Sequence, residues 1–121
     1  MSQFDSVALV DWSAANDTGP QPKKDAIWVG SVIAGEAQGP VYLRNRARAL
    51  DDLSDLIEGE IATGRRLMIG LDFPFAYPSG FAKALECAHA FDVWDYFARH
   101  LVDTPKGNNR FVLAGQINAR F

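Results

Sequence analysis

Apolar positions in this chain fall first in short runs and later at helical spacing. Ser6-Val-Ala-Leu-Val10 and Leu67-Met-Ile-Gly-Leu71 are each too short for a helix, and Gly64 and Pro74 bracket the second. Such runs predict strands buried on both faces, as inside a parallel sheet. Ala26–Ile33 predicts another strand, Gly35–Gly39 a turn, and Val41–Arg48 a third strand. In that third strand Val41, Leu43 and Ala47 alternate with Tyr42, Arg44, Arg46 and Arg48. An arginine face suits either a phosphate backbone or the charged guard of an edge strand. From Leu50 the period lengthens: Leu50, Leu53, Leu56, Ile57 and Ile61 form one helical stripe, with Glu60 at its border. Asp51, Asp52, Asp55 and Glu58 fall on the opposite face, and Gly64 is placed to end the helix.

Beyond Gly80 the spacing stays helical. Phe81, Leu85 and Ala88 share one face, and Val93, Trp94, Phe97 and Leu101 another, with Asp92 as expected N-cap. Asp103–Asn109 predicts a loop, and Arg110–Phe121 a last helix built on Phe111, Leu113, Ile117 and Phe121. The order predicts an α/β fold: a three-stranded antiparallel meander, a crossover helix, and a fourth strand parallel to the first, with helices packed on the sheet.

This topology makes the strand ends informative. The first strand delivers Asp11 and the fourth delivers Asp72, where Pro74 and Pro78 turn the chain away. Ligands of open α/β sheets sit at the carboxyl ends of strands. Two converging carboxylates repel unless a cation or proton lies between them, so Asp11 and Asp72 together suggest a divalent-metal site. Read singly, each is a turn cap or the partner of an arginine. The connection Trp12–Asp25 is a long loop with two prolines and a glycine, a type often functional. On it, Lys23 and Lys24 either face a phosphate or are solvated, and Ser13 either donates to a ligand oxygen or closes the turn. His89 and His100 lack a metal-spaced partner and read as surface or packing residues.

Composition narrows the classes. At 121 residues the chain is sized for a single domain. Its net charge of −3 argues against general polyanion binding. No apolar run approaches the roughly 18 residues of a membrane span. A single cysteine, Cys87, and the absence of a signal-peptide pattern point to a reducing, cytoplasmic setting. The sequence stops in helical phase, so residues 1–121 are expected to be the N-terminal portion of a longer protein. The missing C-terminal segment would then leave Leu67–Leu71 as an open edge. Self-association as a homodimer is expected there or through the Phe111/Ile117/Phe121 face.

With an aspartate on strand one and another ending strand four, the chain resembles the ribonuclease H-like fold. More closely, Val10-Asp-Trp-Ser-Ala-Ala15, Lys23-Lys-Asp-Ala-Ile-Trp28, Ile69-Gly-Leu-Asp-Phe-Pro-Phe75 and Asn108-Asn-Arg-Phe111 are similar to a group of bacterial proteins. These are described as predicted ribonuclease H-like nucleases, or named by association with molybdopterin-guanine dinucleotide synthesis. The resemblance spans nearly all of this chain and the N-terminal part of those proteins. It implies that Asp11 and Asp72 hold Mg²⁺ or Mn²⁺ for phosphodiester hydrolysis, with nucleic acid or a nucleotide as partner. That fold also uses an acidic residue on the first helix and another on a late helix; here the first-helix acids are expected to point away from the strands, and the late segment to belong to the missing portion. Two alternatives stay open: binding of a nucleotide or molybdopterin cofactor without hydrolysis, and an inert scaffold.

Overall fold

The structure is a computed structural model that describes residues 3–14, 17–74 and 76–121. The chain divides into two compact units, Met1–Phe73 and Pro74–Phe121.

The first unit is an α/β layer. Strands β1 (Ser6–Asp11), β2 (Trp28–Ile33), β3 (Glu36–Tyr42) and β4 (Leu67–Leu71) form one mixed sheet, and helix α1 (Arg46–Ala62) joins β3 to β4. The sheet order is β3-β2-β1-β4. β1 pairs antiparallel with β2 and parallel with β4, so the expected meander and crossover are both present. The core lies between the sheet and α1: Val10, Ile27, Leu43 and Ala49 are buried, with Leu53, Ile69 and Leu71 packed against them.

Several boundaries differ from the sequence pattern. The turn predicted over Gly35–Gly39 is only Ala34-Gly35, and both residues have positive φ (50° and 84°). A two-residue turn of this type matches the right-handed twist of the flanking strands, so pairing resumes at once with Ile33 opposite Glu36. β3 therefore begins at Glu36 and ends at Tyr42, not at Arg48. Between Val29 and Ser31 the register slips, placing Gly39 and Pro40 opposite Gly30. Proline is tolerated there because β3 is an edge.

Arg44, Arg46 and Arg48 consequently do not line a strand face. Arg44 adopts φ 63°, and the Asn45 side chain then accepts from the Arg48 N–H at 3.1 Å to start α1 at Arg46. The helix buries Ala49 and Glu60, while Leu50, Ile57 and Ile61 are exposed. The inner stripe thus keeps Leu53 but shifts toward Ala49 and Glu60, away from Leu50, Ile57 and Ile61. The acidic face is outward as expected for Asp51, Asp55 and Glu58.

Contrary to what the apolar runs predict, the sheet is not buried on both faces. β1 buries Ser6, Ala8 and Val10 and exposes Leu9 and Asp11, so the strand is covered on one face only. The registers align Val7, Leu9 and Asp11 with Val32, Gly30 and Trp28 on one side and with Met68 and Gly70 on the other. Leu9 is 59% exposed, Val32 41% and Met68 38%. This face is apolar yet open, with two glycines in its middle.

Glu60 is buried at the other end of the sheet. Ser6 Oγ donates to it at 2.6 Å, and Arg65 reaches it through Nε (2.9 Å) and Nη2 (2.6 Å). Hydrogen bonds from Arg65 and then Ser6 hold this carboxyl below its usual range. Asp5 and Arg66 form a second bridge across the start of β1 and β4.

The second unit is mainly helical: α2 (Phe81–Ala84), α3 (Ala90–His100) and α4 (Arg110–Asn118), with a small hairpin of β5 (Asp103–Thr104) and β6 (Gly107–Asn108). Its core is Leu85, Val93, Tyr96, Leu113 and Ile117. α2 stops early because Glu86 takes φ 59°, which ends the expected run toward Ala88. α3 begins at Ala90 rather than after Asp92. Asp92 sits inside its first turn, where its carboxylate accepts from the Ala88 and His89 N–H groups at 3.0 and 2.8 Å. Leu101 leaves the helix and is exposed, while Tyr96 takes a core position. His100 stacks on Tyr96 at 4.1 Å between ring centroids, a packing role. Of the expected Phe111/Ile117/Phe121 face, Ile117 is buried, whereas Phe111 and Phe121 are exposed.

Candidate functional site

Val10 pairs with Leu71 in the parallel ladder, so Asp11 and Asp72 are the next residues of adjacent strands. Val10 and Leu71 contribute to the covered face, and alternation turns Asp11 to the open one. Beyond the last ladder pair, Asp72 Oδ1 accepts from the Trp12 N–H at 2.8 Å. The carboxylate ending β4 therefore clamps the residue that follows Asp11. Both aspartates are exposed. Trp12 and Phe73 close the neighbourhood with an edge-to-face contact, centroids 6.1 Å apart.

Among the described residues, no group of three or more His, Cys, Asp or Glu side chains is arranged to hold a metal ion. A two-carboxylate edge is still an ordinary Mg²⁺ donor set, since that ion commonly keeps several waters and takes one or two carboxylates plus phosphate oxygens. The donors present fit such a cation.

The loop residues fall differently. Ser13 Oγ is 3.4 Å from the Asp25 carbonyl oxygen, consistent with closing the loop. The Lys23 ammonium pairs with Asp17 at 3.4 Å, and its carbonyl accepts from Trp28 Nε1. Lys24 is exposed on the same loop. Ala15 and Phe75, which belong to the motifs above, and Asn16 of the loop lie outside the described residues.

Asp17 organises this loop. Asp17 is buried, accepts from the Tyr42 hydroxyl, and accepts from the Gly19 N–H at 3.0 Å. Its main-chain carbonyl accepts from Asn45 Nδ2 at 3.2 Å, and Arg44 and Arg46 bind the Gly19 and Ala14 carbonyls. The Tyr42 hydroxyl, foremost, and the Gly19 N–H hold the Asp17 carboxyl low, and Asp17 in turn pushes the Tyr42 hydroxyl up. Arg44 and Arg46, read in the sequence as a phosphate grip or the guard of an edge strand, thus fasten the loop that carries Trp12 and Ser13, while Arg48 pairs with Asp52. Asp17-Thr-Gly19 did carry a local signal, because an aspartate two residues before a glycine is an Asx-turn pattern.

In the second unit an open groove is lined by Glu86, Asp92, Asp95, Arg99, His100 and Arg120. It mixes charges of both signs, Asp92 is committed to the start of α3, and Arg120 donates to the Ala84 carbonyl at 3.2 Å. Among the described residues no helix is long and apolar enough to cross a membrane. The β1/β4 edge is the stronger candidate. No family model, no curated protein and no solved structure matches the chain, so the reading of this edge stands on its chemistry alone.

Proposed function

We propose that this chain is a ribonuclease H-like domain that binds Mg²⁺ or Mn²⁺ between Asp11 and Asp72 and hydrolyses a phosphodiester of a nucleic acid or nucleotide. The observation that carries this reading is the parallel β1/β4 register, which brings the two aspartates to the same sheet edge, with Asp72 held on the Trp12 N–H at 2.8 Å. The strand order supports it further, since an antiparallel meander with a parallel strand beside β1 is the arrangement expected of that fold. A divalent ion at such an edge activates water and offsets charge on the scissile phosphate. The chain's own part is to supply two carboxylates and to fix one of them through a main-chain donor. Lys24 is the loop cation left to approach a phosphate, because Lys23 is drawn to Asp17.

Mn²⁺ binding followed by electron paramagnetic resonance, together with hydrolysis of bis(p-nitrophenyl) phosphate, tests the proposal. Both signals are expected in the parent protein and lost in Asp11→Asn and in Asp72→Asn. No binding at millimolar Mn²⁺, or binding unchanged in Asp72→Asn, overturns the site. Binding without hydrolysis keeps the cation site and overturns the hydrolase.

A further inference from the structure

β4 is the last strand of the sheet, and its outer edge is self-complementary. The Arg66 N–H donates to Asp5 Oδ2, and the Arg66 carbonyl accepts from the Asp5 and Ser6 N–H groups. Both main-chain groups of Arg66 therefore face β1. Alternation along an extended strand then turns the N–H and C=O of Leu67, Ile69 and Leu71 outward, away from the sheet. Side chains alternate too: Ile69 and Leu71 pack under α1, while Met68 belongs to the open face together with Gly70.

We propose that two copies of this chain join antiparallel along β4, about a two-fold axis at Ile69. In that register Ile69 meets Ile69 of the second copy, and Leu67 meets Leu71 in both directions. These are the residues whose main-chain groups point outward, so each pair exchanges two hydrogen bonds. The remaining pairs are equally matched. Met68 falls opposite Gly70 of the second copy, and Arg66 falls opposite Asp72. Gly70 offers no side chain, and Leu9 Cδ2 lies 2.7 Å from where its Cβ would be, so the methionine meets an apolar surface. Arg66 uses Nε and Nη2 on Asp5, which leaves Nη1 for a further acceptor. Asp72 uses Oδ1 on Trp12, which leaves Oδ2. A shift by one residue in either direction separates both Arg·Asp pairs, so charge selects this register. The contact is isologous and closes at two copies. Each copy then contributes an arginine to the β1/β4 edge of the other.

Sedimentation velocity from about 1 µM to about 1 mM protein tests the pairing, since affinities across this span are modest ones. A monomer–dimer equilibrium is expected. Asp72→Arg, which sets arginine against arginine twice per dimer, weakens association roughly tenfold or more. Met68→Glu does the same by placing charge against Leu9. Neither substitution touches the Asp5 bridge, so both variants keep a folded first unit, checked by circular dichroism. Adding Arg66→Asp to Asp72→Arg restores the dimer where the double variant folds. A strict monomer throughout, or a dimer indifferent to both Asp72→Arg and Met68→Glu, overturns the proposal. A folded double variant that stays monomeric overturns the register. The pairing stands apart from the metal reading, and Mn²⁺ separates the two. An ion on Asp72 competes with the incoming arginine and weakens the dimer, whereas a dimer insensitive to Mn²⁺ counts against the ion alone.

Discussion

The one-sided burial of the sheet makes two leucines of the first unit behave very differently. Leu43 is 1% exposed and sits in the core with Val10, Ile27 and Ala49. Leu43→Ala loses the transfer energy of the side chain and leaves a cavity between sheet and helix, at a cost of about 3–5 kcal/mol. Leu9, on the open face of β1, is 59% exposed, which leaves 41% (100 − 59) of its surface removed from water. Full burial of a leucine is worth about 1.5–3 kcal/mol, so two-fifths of it gives about 0.6–1.2 kcal/mol. Leu9→Ala opens no cavity, because solvent already reaches the site. The two variants should therefore differ by about 2 kcal/mol or more. Urea unfolding followed by the fluorescence of Trp12 and Trp28, in a Trp94→Phe background, reads this difference from the first unit. The slope m must stay constant for the comparison to hold. Dilute protein keeps any pairing along β4 from covering Leu9. A Leu9→Ala loss of about 3 kcal/mol or more would mean that the open face is covered in the folded protein, and would refute the reasoning.

Other expectations follow from single contacts. Asp72→Asn keeps an acceptor for the Trp12 N–H and should leave the unfolding midpoint unchanged, whereas Asp72→Ala removes it and costs about 1 kcal/mol by urea unfolding. Asp5 has a carboxyl lowered from 3.8 to about 2 by hydrogen bonds from the Arg66 side chain and main chain. A depressed carboxyl lends stability above its unfolded pKa that is lost as pH falls through the folded one. The Asp5 share therefore disappears between pH 3.8 and about 2. Asp5→Asn should flatten the acid limb of the stability curve there, and carboxyl carbon NMR should show the low titration directly. Ala34 occupies the left-handed region at φ 50°, which asparagine tolerates better in a two-residue hairpin turn. Ala34→Asn should raise the thermal midpoint, by a change on the order of 0.5–1 kcal/mol. A lower midpoint would show that the turn is not under this conformational cost.

Strand and helix identities were legible because period alone distinguishes them. The runs at Ser6–Val10 and Leu67–Leu71 became β1 and β4, and the 3.6-residue spacing after Leu50 became α1. The parallel placement of β4 beside β1 followed from the helix between β3 and β4. With it came the placement of Asp11 and Asp72 at the ends of neighbouring strands. Boundaries were lost where a single backbone angle decides them. Ala34 and Arg44 both take positive φ, and neither residue type announces it, so the pattern points to a later β3 and to an arginine strand face that the structure does not have.

Local pattern along the chain thus carries the order of elements, their periods and the positions of the two aspartates. Whether a face is covered is not a local property. Alternation in β1 could not reveal that α1 shields Val10 while nothing in the first unit shields Leu9 to the same degree, because burial depends on what the rest of the chain places opposite. The buried acids were hidden for the same reason. Glu60 borders the apolar stripe and Asp17 lies among turn formers, and neither position announces burial. They can sit inside only because Arg65 and Ser6, and Tyr42 and Gly19, arrive from distant or turned segments to satisfy them. Tertiary structure decided these positions, since a buried carboxylate is tolerable only where its donors converge in space.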